Sequence, residues 1–333
     1  MNHHAALKTT RRRILASLLL LAAPMTALAS TKSVYYITPG LDLPFWRTLG
    51  LGIGNIATQN GYQLKVLDSK NSDAQQLSNI EQAIREQAAG IVLSPTDSKS
   101  AQAVLELTSR ARVPVVIADI GSNGGEFISY VKSDNYRGAF GVGQAVAAAL
   151  KEKKLKDPAF ALCTIALTRK NGQDRTNGFL DAMKEAGYTN MVALRQMQTY
   201  TKEETYQFVK EILRDHPKVA AIFIEVDKPT LGALTALKEL RRLKEIVVGS
   251  YDGIPEFVDH LKSGNLVAVG MQQPFLMGTQ SAEILFGAIQ GKKQPKQVLV
   301  PVLNATSKNV SEWLPVAEKT VFGAEKPAQL KEK

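Results

Sequence analysis

Aromatic, carboxylate, amide and guanidinium side chains stand after short apolar segments that we predict to be strands. In an open parallel sheet, the carboxyl ends of the strands form the edge at which ligands bind. An aromatic ring can stack on a ligand ring, and carboxylates and amides form hydrogen bonds with polar ligand groups. The candidate ligand-binding residues are Asp42, Phe45, Trp46, Asp119, Gln173, Arg175, Tyr200, Asp227, Asp252 and Gln272.

Some of these carboxylates allow other interpretations. Asp227 precedes Pro229 near a predicted helix start and could cap that helix, and Asp252 with Gly253 has the composition of a turn. Asp119 and Asp252 could instead form the carboxylate pair of a glycoside hydrolase. We favour the simpler role, in which both carboxylates accept hydrogen bonds from ligand hydroxyl groups, and we expect no catalytic residue.

The residues that metal sites and common enzymes need are missing or scattered. His216 and His260 stand alone in helical surroundings, and no G-x-S-x-G segment is present. Cys163 lies in an apolar segment, so we interpret it as a buried structural thiol. The glycines within 50–54 and 138–143 lack the spacing of a phosphate-binding loop and indicate close helix packing. We therefore expect no metal and no cofactor.

Short strands alternate with amphipathic helices from residue 33 onward, which is the pattern of βα units. Ser72 with Gln75, and Thr201 with Glu204, predict capped helix starts. No low-complexity linker divides the chain, so we predict an α/β fold of two similar lobes with parallel sheets. Strands are predicted at 34–38, 62–68, 90–94, 115–118, 127–131, 159–166, 191–196, 220–225, 246–250 and 266–272. Helices are predicted at 136–151, 175–186, 201–214, 231–240 and 276–290. Apolar residues with helical spacing within 45–56 and 77–84 predict two more.

The first 29 residues have the features of a cleavable export signal. A basic stretch containing Lys8 precedes an apolar segment at 14–23, and Ala27-Leu28-Ala29 suits a signal peptidase. The adjacent arginines at 11–13 leave a twin-arginine route open. Removing this segment takes away four basic and no acidic residues, so the net charge falls from +10 to +6. The remaining basic residues are scattered without interleaved aromatics, so we expect no nucleic-acid partner.

Six short segments, taken in their order along the chain, together carry a family resemblance. They are 43–46 (LPFW), 66–69 (VLDS), 94–98 (SPTDS), 113–116 (VPVV), 133–135 (SDN) and 247–253 (VVGSYDG). In their order and spacing, residues 33–303 resemble the ribose-type periplasmic sugar-binding proteins that serve ABC transporters.

This resemblance implies two Rossmann-like lobes joined by a hinge of three crossings, near 133–134, 272–273 and 302–303. One lobe would comprise residues 30–133 with 273–302, and the other 134–272 with 303–333. By position, the stacking aromatics fall on Phe45, Trp46 and Tyr200, and the residues that bind hydroxyl groups fall on Asp119, Asp252 and Gln272. The family also implies a monomer in the periplasm that binds a small molecule and is not an enzyme.

Four positions depart from the ribose binders. Ile120 follows Asp119 where those relatives have an arginine, and Gln173 aligns with a second arginine. Arg175, two places on, would then be a structural residue or one that supports the residues in contact with the ligand. Val226 and Leu43 each stand in place of an asparagine. We therefore expect a ligand that is larger or less hydroxylated than ribose.

Two membrane partners fit the resemblance. Delivery of the ligand to an ABC permease is the leading hypothesis, and reporting of the ligand to a membrane sensor kinase or chemoreceptor is the alternative. A gene-regulatory role is rejected because an export signal stands where a related repressor would carry a DNA-binding helix-turn-helix. The segment after residue 306 has no clear counterpart in the ribose binders, and it either crosses the hinge or stays partly disordered.

Overall fold

The computed structural model describes Met1 and residues 32–323. The predicted export signal and the last ten residues, 324–333, lie outside this range. Among the described residues, none of the helices is long and apolar enough to cross a membrane.

Strands and helices alternate along the chain as βα units. The strands are β1 (Ser33–Thr38), β2 (Gln63–Asp68), β3 (Gly90–Leu93), β4 (Val115–Ala118), β5 (Ser129–Ser133), β6 (Ala159–Thr164), β7 (Met191–Gln196), β8 (Val219–Ile224), β9 (Val247–Tyr251), β10 (Ala268–Met271), β11 (Gln297–Val300) and β12 (Leu303–Thr306). The helices are α1 (Pro44–Gln59), α2 (Asp73–Arg85), α3 (Ala101–Arg110), α4 (Asn135–Glu152), α5 (Lys170–Glu185), α6 (Lys202–Asp215), α7 (Asp227–Glu239), α8 (Glu256–Lys262), α9 (Pro274–Ile289) and α10 (Val310–Thr320).

The strands form two six-stranded sheets, which confirms the predicted α/β class. The first sheet has the order β11-β5-β4-β3-β1-β2, and the second has the order β12-β10-β9-β8-β6-β7. All pairs are parallel except β10 with β12, which is antiparallel. The chain passes between the sheets three times: after β5, after β10 and between β11 and β12.

Each sheet is covered by apolar side chains on both faces. In the first sheet, Tyr36 and Val92 belong to a cluster with α1 and α9, whereas Tyr35 and Ile91 belong to a cluster with α2 and α3. Corresponding clusters cover the two faces of the second sheet, and Cys163 lies fully buried in one of them. Because helices cover both faces, the ligand-accessible parts of each sheet are its strand ends.

The two predicted helix caps are present. The Ser72 hydroxyl accepts a hydrogen bond from the backbone N–H of Gln75, and Thr201 accepts one from the N–H of Glu204. The Glu204 carboxylate in turn accepts hydrogen bonds from the N–H groups of residues 198–200. This reciprocal cap fixes the loop that carries Tyr200, which is one of the candidate binding residues.

Helix α5 begins five residues earlier than the sequence pattern predicts. The predicted start is Arg175, whereas the helix begins at Lys170. The residue before it, Arg169, makes no capping hydrogen bond with its side chain, so the sequence carries no start signal there. Strands β11 and β12 and helices α3, α8 and α10 were likewise absent from the prediction.

Glycines allow helices α1 and α9 to pack closely. A Cβ atom at Gly52 would lie 2.2 Å from the carbonyl oxygen of Phe275, and one at Gly278 would lie 2.1 Å from that of Leu49. Only hydrogen fits at either position. The packing interpretation of the glycines in 50–54 is therefore correct at Gly52.

Helix α10 lies beside the crossings between the sheets. Its residues Val310 and Ala317 are buried in a core cluster of the second sheet. At its end, the Thr320 hydroxyl donates to Gln273 Oε1 at 3.0 Å, and Gln273 Nε2 donates to the Pro301 carbonyl at 2.9 Å. The described part of the segment after residue 306 therefore contacts two of the three crossings between the sheets.

Candidate ligand-binding site

A cavity lies between the carboxyl ends of the strands of the two sheets. From the first sheet's side it is lined by residues after β1 and β4, and from the second by residues after β6 to β10. The lining residues are Leu43, Phe45, Trp46, Asp119, Ile165, Arg169, Asn171, Arg175, Tyr200, Val226, Asp252 and Gln272.

Seven of the ten predicted site residues line this cavity. They are Phe45, Trp46, Asp119, Arg175, Tyr200, Asp252 and Gln272. Asp227 is buried beside it at the start of α7, where its carboxylate accepts a hydrogen bond from the N–H of Lys228. Asp42 and Gln173 are exposed and lie outside the lining, and the Gln173 amide donates instead to the carbonyl of Leu167.

The start of α5 explains why Arg175 and not Gln173 reaches the cavity. Asn171 and Arg175 are four residues apart, so they share one face of the helix, and Gln173 points away from that face. If the helix began at Arg175, as predicted, residue 173 would lie in the loop that follows β6, where ligand-binding residues are expected. Arg175 therefore has more than a structural role, because its side chain also lines the cavity.

Sequence reasoning missed two polar residues of the site, Arg169 and Asn171. The Asn171 amide donates a hydrogen bond of 2.7 Å to Asp119 Oδ2, which comes from the other sheet. Arg169 donates to the carbonyl of Thr96 at 2.8 Å and to Asn71 Oδ1 at 2.6 Å, also across the cleft. The sequence gives only a weak signal for these two residues. Arg169 stands in a polar loop and Asn171 at a helix start, and both are far in sequence from their partners.

Arg175 is the centre of a buried polar network. It donates to Asn135 Oδ1 at 2.9 Å and to the Glu225 carbonyl at 2.6 Å, and it forms an ion pair with Asp252 at 3.4 Å. Its guanidinium also lies 4.3 Å from the centre of the Tyr251 ring. These contacts fix the orientation of the guanidinium before any ligand arrives.

Two buried acceptors in the lining have no hydrogen-bond partner. Asp119 Oδ1 and Gln272 Oε1 are unpaired, although both residues are only 1% exposed. The second oxygen of Asp119 is held by Asn171, and the amide nitrogen of Gln272 donates to Asp252 Oδ1 at 2.6 Å. Buried acceptors are normally paired, so these two oxygens are suited to receive donors from a bound molecule.

Aromatic rings stand on two sides of the cavity. Phe45 and Trp46, at the start of α1, meet edge to face with centroids 4.7 Å apart. Tyr200 belongs to the second sheet's side, and the Arg169 guanidinium lies 5.3 Å from its ring centre. Flat apolar surfaces in this arrangement can pack against the faces of a ligand ring.

Burial raises the pKa of the carboxyl groups around the cavity. The pKa of Asp119 rises to about 6 because the group is desolvated, with Arg175 opposing the rise. Desolvation likewise raises the pKa of Asp227 and of Glu225 to about 7 each. The pKa of Asp252 is raised by burial and lowered in part by the neighbouring Arg175. Such perturbed carboxyl groups are typical of functional sites.

Three cavity residues have the left-handed backbone conformation. The φ angles of Asp119, Tyr200 and Asp252 are +65°, +57° and +62°. This conformation costs about 1 kcal/mol or more for a residue other than glycine. Its occurrence at three lining positions indicates that their side-chain directions are held in place by the surrounding structure.

Additional polar contacts connect the two sides of the cleft outside the cavity. Lys132 of β5 forms an ion pair with Asp174 of α5 at 3.0 Å. The N–H of Lys170 donates to Ser98 Oγ at 3.1 Å, and Lys228 donates to the carbonyl of Asp42 at 2.6 Å. The two sides are therefore in direct contact around the cavity.

The arrangement suits the binding of a polar molecule. Within residues 32–323, no three His, Cys, Asp or Glu side chains are grouped so that they could hold a metal ion.

Residues 34–293 match the family model of the periplasmic binding protein domain. The chain belongs to the periplasmic binding protein family. This result confirms the resemblance found in the sequence and the expectation of a binding protein rather than an enzyme.

Several sequence relatives of this chain are named import binding proteins. The ribose import binding protein RbsB of Salmonella typhimurium is 28% identical over 280 residues, which cover 84% of this chain and 92% of the relative. RbsB of Haemophilus influenzae is 29% identical, with 86% and 96% covered. The D-apiose import binding protein of Paraburkholderia graminis is 28% identical, with 80% and 84% covered.

Solved structures of solute-binding proteins share the fold. One from Agrobacterium radiobacter, in complex with D-arabinose, has a TM-score of 0.81 at 21% identity, and the match covers 88% of this chain and 99% of that one. One from Bacillus halodurans with bound myo-inositol has a TM-score of 0.77 at 20% identity, covering 85% and 98%. These similarities confirm the two-sheet architecture.

Proposed function

We propose that this protein captures a small polyhydroxylated molecule of the sugar class in the periplasm and delivers it to an ABC transporter. The observation that carries the proposal is the pair of unpaired buried acceptors, Asp119 Oδ1 and Gln272 Oε1. Hydroxyl groups of a ligand would supply the missing donors. Phe45 and Trp46 would cover the apolar face of its ring.

Capture would proceed by closure of two lobes. We propose that residues 30–133 with 273–302 form one lobe and residues 134–272 with 303–333 form the other, with the crossings as hinge. The hydrogen bonds of Arg169 and Asn171 with residues of the first sheet support a closed form, since each joins groups on opposite sides of the cleft. A ligand that adds contacts to both sides shifts the equilibrium toward this form.

The names of the relatives support import as the biological role, because those relatives are import binding proteins for ribose and D-apiose. An ABC permease would recognise the surface that both lobes form when closed. Reconstitution of this protein with ABC permeases of its own organism in lipid vesicles tests this step. Stimulation of ATP hydrolysis by the loaded protein is expected, and stimulation of a sensor kinase instead would contradict delivery to a transporter.

Binding itself is tested by thermal denaturation of protein refolded to remove any bound ligand. The panel comprises pentoses, hexoses, deoxy sugars and cyclic polyols at millimolar concentration. A ligand at 100 times its Kd stabilises the folded state by about 2.7 kcal/mol, which raises Tm by several degrees. A shift with at least one member is expected, and no shift with any member would contradict the proposal. Sub-micromolar binding of ribose would contradict only the expectation of a larger or less hydroxylated ligand.

A further inference from the structure

One wall of the cavity is a continuous apolar surface. Ile165 and Val226 form a buried cluster with Met197, and Leu43 and Tyr200 pack against this cluster. Four of these five residues also line the cavity, Met197 being the exception. We call the surface formed by Leu43, Ile165 and Val226 the aliphatic wall.

The aliphatic wall comes from both sides of the cleft. Leu43 precedes helix α1 beside the first sheet, whereas Ile165 and Val226 follow strands β6 and β8 of the second. A bound molecule would therefore meet this wall only when the two sides are together. The polar lining residues also come from both sides, since Asp119 follows a strand of the first sheet. Asn171, Arg175, Asp252 and Gln272 lie on the second sheet's side.

Three backbone polar groups at the aliphatic wall or next to it are already engaged within the protein. The N–H of Ile165 donates to Glu225 Oε2 at 2.9 Å, and the carbonyl of Val226 accepts from Thr230 Oγ1 at 2.7 Å. The N–H of Ala166 donates to the Tyr200 hydroxyl at 3.3 Å. A ligand hydroxyl pressed against this wall would therefore find neither of these two N–H donors free, and the side chains of Leu43, Ile165 and Val226 offer it only carbon atoms.

We propose that the preferred ligand is a deoxy sugar, whose methyl group or unsubstituted ring carbon lies against the aliphatic wall. This inference rests on the proposed function and refines it. The remaining hydroxyl groups would face the polar lining, where Asp119 and Gln272 have unpaired oxygens. Burying a hydroxyl group without a partner is unfavourable, whereas burying a methyl group in the same place is favourable. The deoxy compound should therefore bind about tenfold or more tightly than its hydroxylated parent.

Matched pairs of sugars test this preference in the wild-type protein. Calorimetric titration of refolded protein would compare D-fucose with D-galactose, L-rhamnose with L-mannose, and 2-deoxy-D-ribose with D-ribose. In the pair that binds most tightly, the deoxy member should have a Kd at least about ten times lower. Equal or tighter binding of the parent sugar would overturn the inference while leaving the proposed function intact. Failure of all six sugars while another member of the wider panel binds would overturn the inference alone, and failure of every compound would overturn both.

A substitution of nearly equal volume tests the wall directly. Val226→Thr replaces one methyl group of the wall with a hydroxyl group. It should lower the ratio of the parent sugar's Kd to that of the deoxy sugar toward one, because the parent sugar gains a partner. Val192→Thr is the matched control, since Val192 packs against a core cluster of the second sheet and does not line the cavity. An unchanged ratio in folded Val226→Thr, or an equal change in both variants, would contradict a specific role of the wall. If Val226→Thr does not fold, the wild-type pairs still decide the question.

Discussion

Asn171 and Asp119 form a hydrogen bond of 2.7 Å between the two sides of the cleft. Asn171 lies in the first turn of α5, beside the second sheet, and Asp119 follows β4 of the first. The Asp119 carboxylate is buried. If the cleft closed without the Asn171 donor, this carboxylate would lose its water and gain no hydrogen bond in exchange. The bond thus links closure to the orientation of the carboxylate that faces the cavity.

Replacing Asn171 by alanine should therefore weaken ligand binding about tenfold or more, since closure would bury the Asp119 carboxylate without its partner. Titration calorimetry measures the change in Kd. Asn177→Ala is the matched control, because Asn177 is an exposed residue of the same helix. Equal affinities of the two variants would show that the bond contributes nothing to closure.

Arg175 and Gln173 should differ sharply in their effect on binding. Arg175→Lys keeps the charge and loses the planar set of donors that contacts Asn135 and Glu225, so we expect affinity to fall at least about tenfold. Gln173→Ala removes an exposed side chain and should leave Kd within about twofold. Circular dichroism establishes that both variants fold. A larger loss in Gln173→Ala than in Arg175→Lys would contradict the observed start of helix α5.

The α/β class was readable from the sequence because the alternation of apolar strands and amphipathic helices is a local pattern. Asp119 and Asp252, which directly follow β4 and β9, were found in this way. Two site residues, Arg169 and Asn171, were not found because their roles depend on distant partners such as Thr96 and Asp119, which no local pattern reveals. Gln173 was included because α5 lacks a capping side chain, so its start was placed too late.

Glu225 should make the stability of the protein depend on pH. Burial raises its pKa to about 7 from a usual value of 4.5, so the folded state favours the protonated form. Its stabilising contribution is therefore complete below about pH 4.5 and is lost as pH rises through about 7.

Glu225→Gln should remove this loss of folding stability at high pH. The amide can still accept from the N–H of Ile165 and donate to the Thr176 hydroxyl, which are the present partners of the carboxyl group. Urea denaturation at pH 5 and pH 8 should show the variant gaining stability relative to wild type by a few kcal/mol at the higher pH. A difference between the two proteins that does not change with pH would contradict the raised pKa.

The packing of α1 against α9 should tolerate no side chain at Gly52. A Cβ atom there would lie 2.2 Å from the backbone oxygen of Phe275, so Gly52→Ala should lower the free energy of unfolding by about 1–3 kcal/mol. At Gly54 in the same helix, the nearest atom to a Cβ would be a side-chain carbon of Leu64 at 3.4 Å. Gly54→Ala should therefore stay within about 1 kcal/mol of wild type. Similar losses in both variants would contradict close contact of the helices at Gly52.

Trp46 offers the most direct test of the central claim that the cavity holds a sugar-class ligand. The chain has two tryptophans, and Trp313→Phe leaves Trp46, in the cavity lining, as the only one. Titration of this refolded variant with the sugar panel should give a saturable change in tryptophan fluorescence with at least one member. The same titration with Asp119→Ala added should require about tenfold or more ligand. No change with any sugar, or a change that is unaffected by Asp119→Ala, would contradict the assignment of the cavity as the ligand-binding site.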